Sequence, residues 1–161
     1  MSIGIATTWD QRLADLGDVP ACRILSSPAP GPATWQEVVG IRETQNRLCE
    51  LIDGTLVEKA VGWQESLLAG VLLHWLHSYL EISNLGVATG PDGMTRLFGD
   101  TVRAPDVSFF AWDRLPNRRI PTEPVPEIVP NFVIEVLSSG NTYAEMSRKR
   151  REYFHAGVQL L

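Results

Sequence analysis

A glutamate set inside an apolar run constrains this chain more than any other feature. The segment Asn131-Phe-Val-Ile-Glu135-Val-Leu137 otherwise has the composition of a buried strand. An unpaired carboxylate there would be costly to bury, so the fold must bring Glu135 a positive partner. A second strand-like run, Val107-Ser-Phe-Phe110, is opened by Asp106 within Arg103-Ala-Pro-Asp106, and Lys149 lies on the helix that follows both. Two carboxylates on neighbouring strands, with a lysine delivered from the next helix, suit a Mg²⁺ site for cutting a phosphodiester bond.

That chemistry needs a nucleophilic water, neutralisation of charge on the phosphate and help for the leaving oxygen. A hard divalent cation, Mg²⁺ or Mn²⁺, held by two or three oxygens supplies much of this. Asp106 and Glu135 are the expected ligands, with the backbone carbonyl of Val136 as a third. Lys149 would orient or deprotonate the water, or stabilise charge on the phosphate. Plainer readings stand beside these. Pro-Asp is a common turn dipeptide, and Glu135 could end its strand in a salt bridge with Arg103. The run Arg148-Lys149-Arg150-Arg151 would by default be a solvated helix face. Neighbours on a helix diverge by about 100°, so only one or two of the four can point at one target.

The chain has 161 residues, a length that suits one domain with a proper core. Its net charge of −5 argues against a sequence-independent coat for nucleic acid, yet leaves room for a nuclease, whose acidic site adds negative charge. Basic residues are uneven: Arg114, Arg118, Arg119 and Arg148 to Arg151 fall in the last third. Cys22 and Cys49 lack CxxC spacing and read as free thiols of a reducing cytoplasm. There is no signal-like start and no membrane-length apolar run. No Walker or Rossmann motif supports a nucleotide cofactor.

Residues 1–33 read as an arm or linker, because Ser26-Ser-Pro-Ala-Pro-Gly-Pro32 can neither continue a helix nor enter a sheet interior. The compact domain is expected over 34–161. Thr34 suits an N-cap for a helix over 35–47, and Asp53-Gly54 a two-residue hairpin turn. The clearest helix is 63–82, where Trp63, Leu67, Leu68, Val71, Leu72, Trp75, Leu76, Tyr79 and Leu80 draw one broad apolar stripe. His74 and His77 share that helix without a third ligand nearby and read as ordinary surface or core-edge histidines. Five prolines between 116 and 130 mark a long connection of the functional or mobile kind. Thr142 and Glu145 form a capping box for the last helix, and Gly157 stops it.

Four pieces in order resemble one known family: Cys49-Glu-Leu-Ile-Asp-Gly54, Val102-Arg-Ala-Pro-Asp-Val-Ser108, Val133-Ile-Glu-Val-Leu-Ser138 and Lys149-Arg-Arg-Glu-Tyr-Phe-His-Ala-Gly-Val158. This is the Uma2 (DUF820) family, a branch of the PD-(D/E)xK restriction-endonuclease-like superfamily. The resemblance runs from about residue 35 to the last residue. It implies an α/β (α+β) core, a central mixed sheet flanked by helices, and a divalent-metal nuclease site. By motif, Asp106 matches the PD aspartate, Glu135 the second-strand acid, and Glu50 the upstream acid that adds a metal ligand or organises the site. Leu137 stands where the superfamily's lysine would fall. Lys149, four before Tyr153, matches the lysine that the family carries on the following helix. Family members continue after Ala-Gly-Val with a further strand; here Gln159-Leu160-Leu161 follows, so the C-terminal strand is expected to be missing.

The resulting expectation is a Mg²⁺- or Mn²⁺-dependent DNA endonuclease. Asp106, Glu135 and Glu50 would bind metal, Lys149 would assist attack, and Arg118, Arg119, Arg148, Arg150 and Arg151 would contact phosphates. A non-catalytic module binding DNA or protein on the same fold is the alternative, and hydrolysis of another phosphate ester a third. A homodimer would serve cleavage of both strands of a duplex, though the sequence carries no interface signature.

Overall fold

The structure, a computed structural model, describes residues 8–161; the first seven residues of the expected arm lie outside them. The α/β class holds. Helices α1 (Trp9–Asp15), α2 (Trp35–Gln45), α3 (Trp63–Ser83) and α4 (Tyr143–Ala156) flank seven strands in two antiparallel sheets. One sheet has the order β2 (Thr55–Glu58), β1 (Cys49–Ile52), β5 (Thr101–Arg103), β4 (Thr95–Phe98). The other runs β3 (Gly86–Thr89), β6 (Val107–Ala111), β7 (Phe132–Ile134). Among the described residues the one parallel pairing is the bridge between Phe132 and Leu160, where Val133 N–H donates to the Leu160 carbonyl.

The β1–β2 hairpin turns on Asp53 and Gly54, both with positive φ (47° and 67°), the paired left-handed conformation that a two-residue turn needs. Period-2 alternation then sorts the hairpin's two faces. Cys49, Leu51 and Leu56 join Val102, Ala104 and α2's Val38 and Ile41 in the main core. Fully burying a side chain such as Leu51 contributes about 1.5–3 kcal/mol. Glu50, Ile52, Val57 and Lys59 fall on the opposite face, toward the N-terminal residues and α4.

The residues read as an arm are folded onto that second face. Leu16 and Val19 pack with Ile52 and Val57, and Leu25 N–H donates to the Leu56 carbonyl. Arg23 clamps the region: its guanidinium makes two hydrogen bonds to Glu145 (2.8 and 3.0 Å) and donates to the carbonyls of Glu58 and Gly140. The proline-rich connection is likewise anchored, with Val125 in the main core and Arg96 N–H bonded to the Pro126 carbonyl.

Helix α3 departs from what its pattern suggests. It packs on β3 and β6, and of its 21 residues Ala69 and Leu80 are the buried ones. Most of the apolar stripe is open to solvent. No helix among the described residues is long and apolar enough to cross a membrane.

Candidate functional site

Register places the acidic residues. In the β6–β7 ladder Val107 faces Ile134 and Ser108 faces Val133. One step further along the same register sets Asp106 opposite Glu135, and directly opposed residues share a sheet face. In the other sheet Leu51 faces Val102, so the same rule sets Glu50 opposite Arg103. Lys59 lies two positions beyond Val57, the residue that faces Glu50, and so projects from Glu50's face.

Helix α4 supplies the rest. Thr142 and Glu145 close its capping box, which fixes the helix's start and phase. Its buried residues are Glu145, Lys149, Glu152 and Tyr153, spaced i, i+4, i+7, i+8 and so aligned on one face. Lys149 Nζ reaches Glu50 Oε1 at 2.9 Å and Glu135 Oε1 at 3.3 Å. Tyr153 donates its hydroxyl to Glu135 Oε1 at 2.6 Å. Arg103 donates to Glu50 Oε2 at 2.7 Å and also bonds Glu152. Asp106 accepts a hydrogen bond from the Val136 N–H at 2.6 Å, and Lys59 Nζ stands 2.7 Å from its other oxygen. The Val136 backbone, whose carbonyl is the expected third metal ligand, thus meets Asp106 through its amide.

Each carboxylate answers to its surroundings. Glu50 is wholly buried, which alone would push its carboxyl up. Lys149 and Arg103 outweigh this and hold it at about 2. For Glu135 burial wins: its carboxyl is raised above the ordinary range, with Glu50's charge adding to the rise and Lys149 and Tyr153 opposing it. Burial pulls the Lys149 ammonium down, but Glu135 and Glu50 hold it above its ordinary value, so it is a cation at neutral pH. Environments that push two neighbouring acids apart are a recurrent feature of acid–base sites.

Lys59 is the unusual member. Its ammonium is almost fully buried and paired with Asp106. At 2.7 Å the pair is at charge-assisted hydrogen-bond distance, and Nζ has no other partner among the described residues. A buried ammonium against Asp106 occupies the place that a bound cation would take.

The arginines divide. Arg148 is spent inside the protein on Asp53, Glu152 and the Asp15 carbonyl. Arg150 is exposed and shares a cleft of about 390 Å³ with Glu135, Tyr143 and Met146. Arg151 is exposed and donates to Ser147. Arg118 and Arg119 are exposed at a 3₁₀ turn between β6 and β7. His74 and His77 are exposed on α3, with His77 against the Ala88 carbonyl. Sequence reasoning missed Lys59, Glu152 and the pairing of Arg103 with Glu50. The α4 spacing could have exposed Glu152; Lys59 needed the hairpin register.

The donor set suits a hard divalent cation, because it is built of carboxylate oxygens. Among the described residues no three acidic, histidine or cysteine side chains converge as a ready cage. A cation held here would have Asp106 and Glu135 as its carboxylate ligands and would complete its shell with waters and substrate phosphate. Both oxygens of Glu50 are already engaged, Oε1 by Lys149 and the Ala104 N–H, Oε2 by Arg103. It organises the two cations.

Known proteins share this fold. The fold is similar to the crystal structure of "a putative nuclease belonging to DUF820" from Anabaena variabilis, with a TM-score of 0.66 and 24% identity over 80% of this chain and 73% of that one. No curated protein matches the sequence. The family model Uma2, described as "Putative restriction endonuclease", matches residues 35–161. That match spans every acid and lysine of the site, and the chain belongs to the Uma2 family.

Proposed function

We propose that the chain is a divalent-metal-dependent endonuclease that hydrolyses DNA phosphodiester bonds. The observation that carries this reading is that Asp106 and Glu135 stand at adjoining ends of β6 and β7, each one residue beyond the paired Val107 and Ile134, with the Lys149 ammonium on Glu135. Asp106 and Glu135 would hold Mg²⁺ or Mn²⁺, and Glu50 would position Lys149 and Arg103. When bound, the cation supplies charge neutralisation on the phosphate and a water of lowered pKa. Lys149 is charged in this setting, so it serves as a donor to a phosphate oxygen or to the water. Tyr153 fixes the rotamer of Glu135 through its hydroxyl. Arg150, beside Glu135 in the open cleft, is the α4 arginine best placed for a backbone phosphate.

The Lys59–Asp106 pair favours a second reading, a DNA- or protein-binding module in which an amine has taken the place of the metal. Calorimetric titration of Mn²⁺ combined with cleavage of supercoiled plasmid separates the two. The nuclease reading expects metal binding and nicking in the wild type, and loss of both in Asp106→Asn and Glu135→Gln. A folded wild type that binds neither Mn²⁺ alone nor Mn²⁺ with DNA present would leave the module.

A further inference from the structure

The apolar surface of α3 is too large and too organised to remain open. Trp63, Leu67, Val71, Trp75, Tyr79 and Ile82 lie along one side of the helix and are 44–90% exposed. With Leu68 beside them they leave on the order of 700 Å² of apolar surface in water. The largest apolar patch on a typical monomer is roughly 300–600 Å², and one partner of a standard interface contributes about 800 Å². The opposite side of α3, around Ala69 and Leu80, already packs on the β3–β6 sheet. A helix apolar on both sides is a helix covered on both sides.

We propose that this face is the interface of a homodimer built around a two-fold axis at Val71. The pattern is self-complementary. In an antiparallel pairing centred on Val71, Leu67 meets Trp75 of the second copy and Trp63 meets Tyr79. Large side chains thus flank the smaller Val71, which allows close approach at the axis. Reciprocal contacts of this kind are what an isologous interface requires. The charge pattern disfavours other occupants. Helix α3 carries no lysine or arginine, so it lacks the basic flank that attracts a nucleic acid or an anionic membrane surface.

Sedimentation and light scattering on the full chain up to about 100 µM test this, a range that covers ordinary specific interfaces. The expected mass is twice the 17.9 kDa of one chain. Val71→Glu, which places two carboxylates at the axis, is expected to return a 17.9 kDa monomer with wild-type circular dichroism. Val71→Cys in a Cys22→Ser background is expected to form one interchain disulfide on mild oxidation, since Cys49 is buried. Should Val71→Glu fail to fold, that disulfide decides. A wild-type monomer throughout the range overturns the proposal, as does a dimer that persists in folded Val71→Glu.

Discussion

Replacing Lys59 with methionine probes the site at its least expected point. The ammonium lies 2.7 Å from Asp106 Oδ1. At an effective dielectric of about 20 that attraction is roughly 6 kcal/mol, and the desolvation of two buried ions cancels most of it. A net value of about 1.5–3 kcal/mol, usual for an interaction with a charged group, remains. A divalent cation that binds Asp106 must forfeit this amount, because it and the ammonium compete for the same oxygen. Since about 1.4 kcal/mol is tenfold in affinity, Lys59→Met is expected to tighten Mn²⁺ binding by roughly 10- to 150-fold. Methionine keeps much of the stem's length, and Asp106 retains the Val136 N–H. The assay is calorimetry at pH 7.5 on wild type, Lys59→Met and the double variant with Asp106→Asn, which should bind nothing at this site. Unchanged or weaker binding in folded Lys59→Met would refute the competition argument. Plasmid nicking adds a second discrimination: tighter metal binding with slower cleavage would mean that Lys59 turns its free donors to the phosphate once displaced.

Lys149→Met removes the cation shared by Glu50 and Glu135 and is expected to abolish plasmid nicking, while destabilising the fold by about 3–5 kcal/mol in urea titration. Arg103→Met, which takes one of two cationic partners from buried Glu50 and from Glu152, is expected to cost a similar amount, and a loss under 1 kcal/mol would contradict this network. Glu145 gives a pH signature. Burial raises its carboxyl, but the Arg23 and Asn141 hydrogen bonds outweigh this and leave it below its ordinary value. A depressed carboxyl contributes stability that is full above its unfolded pKa of about 4.3 and is lost as pH falls through the folded value. Glu145→Gln should therefore lower stability at pH 7 and flatten the acid limb of the wild-type profile below about pH 4.3. Parallel acid limbs in the two proteins would exclude the Arg23–Glu145 clamp as a source of acid sensitivity.

The parts of the fold written in local chemistry were legible. Asp53-Gly54 names its turn because both residues tolerate positive φ, and Thr142 with Glu145 names the start of α4 because the two satisfy each other's backbone donors. What failed to be legible depends on register or on what lies across a gap. Helical periodicity shows that α3 is apolar over much of its circumference, but it carries no information about which arc the sheet covers. Lys59 reads as an ordinary strand-end lysine until Glu50 is seen to face Val57, which turns the next residue but one inward. Arg103, entertained as the partner of Glu135, is instead Glu50's cross-strand neighbour.

Those register effects change where a metal has to act. By its place in an apolar strand Glu135 needs a positive partner, and a metal would satisfy it. In the folded protein that need is already met: Lys149 stands against Glu135, Tyr153 donates to it, and burial holds its carboxyl up toward the protonated form. Glu50 is likewise satisfied by Lys149 and Arg103. Asp106 differs, since its cation, Lys59, has no other partner among the described residues. A divalent ion would therefore enter on the Asp106 side, since Asp106 is the most exposed of the three acids, with 12% of its side chain open against 7% for Glu135 and 1% for Glu50. It would recruit Glu135 by lowering the carboxyl that burial has raised, so binding should release a proton where Glu135 is still protonated. The calorimetric experiment reads this directly. Repeated in buffers of different ionisation enthalpy, it should show proton release that declines toward zero as the pH rises past the Glu135 transition. Release that persists unchanged at alkaline pH would assign the proton to another group and Glu135 to a purely structural role.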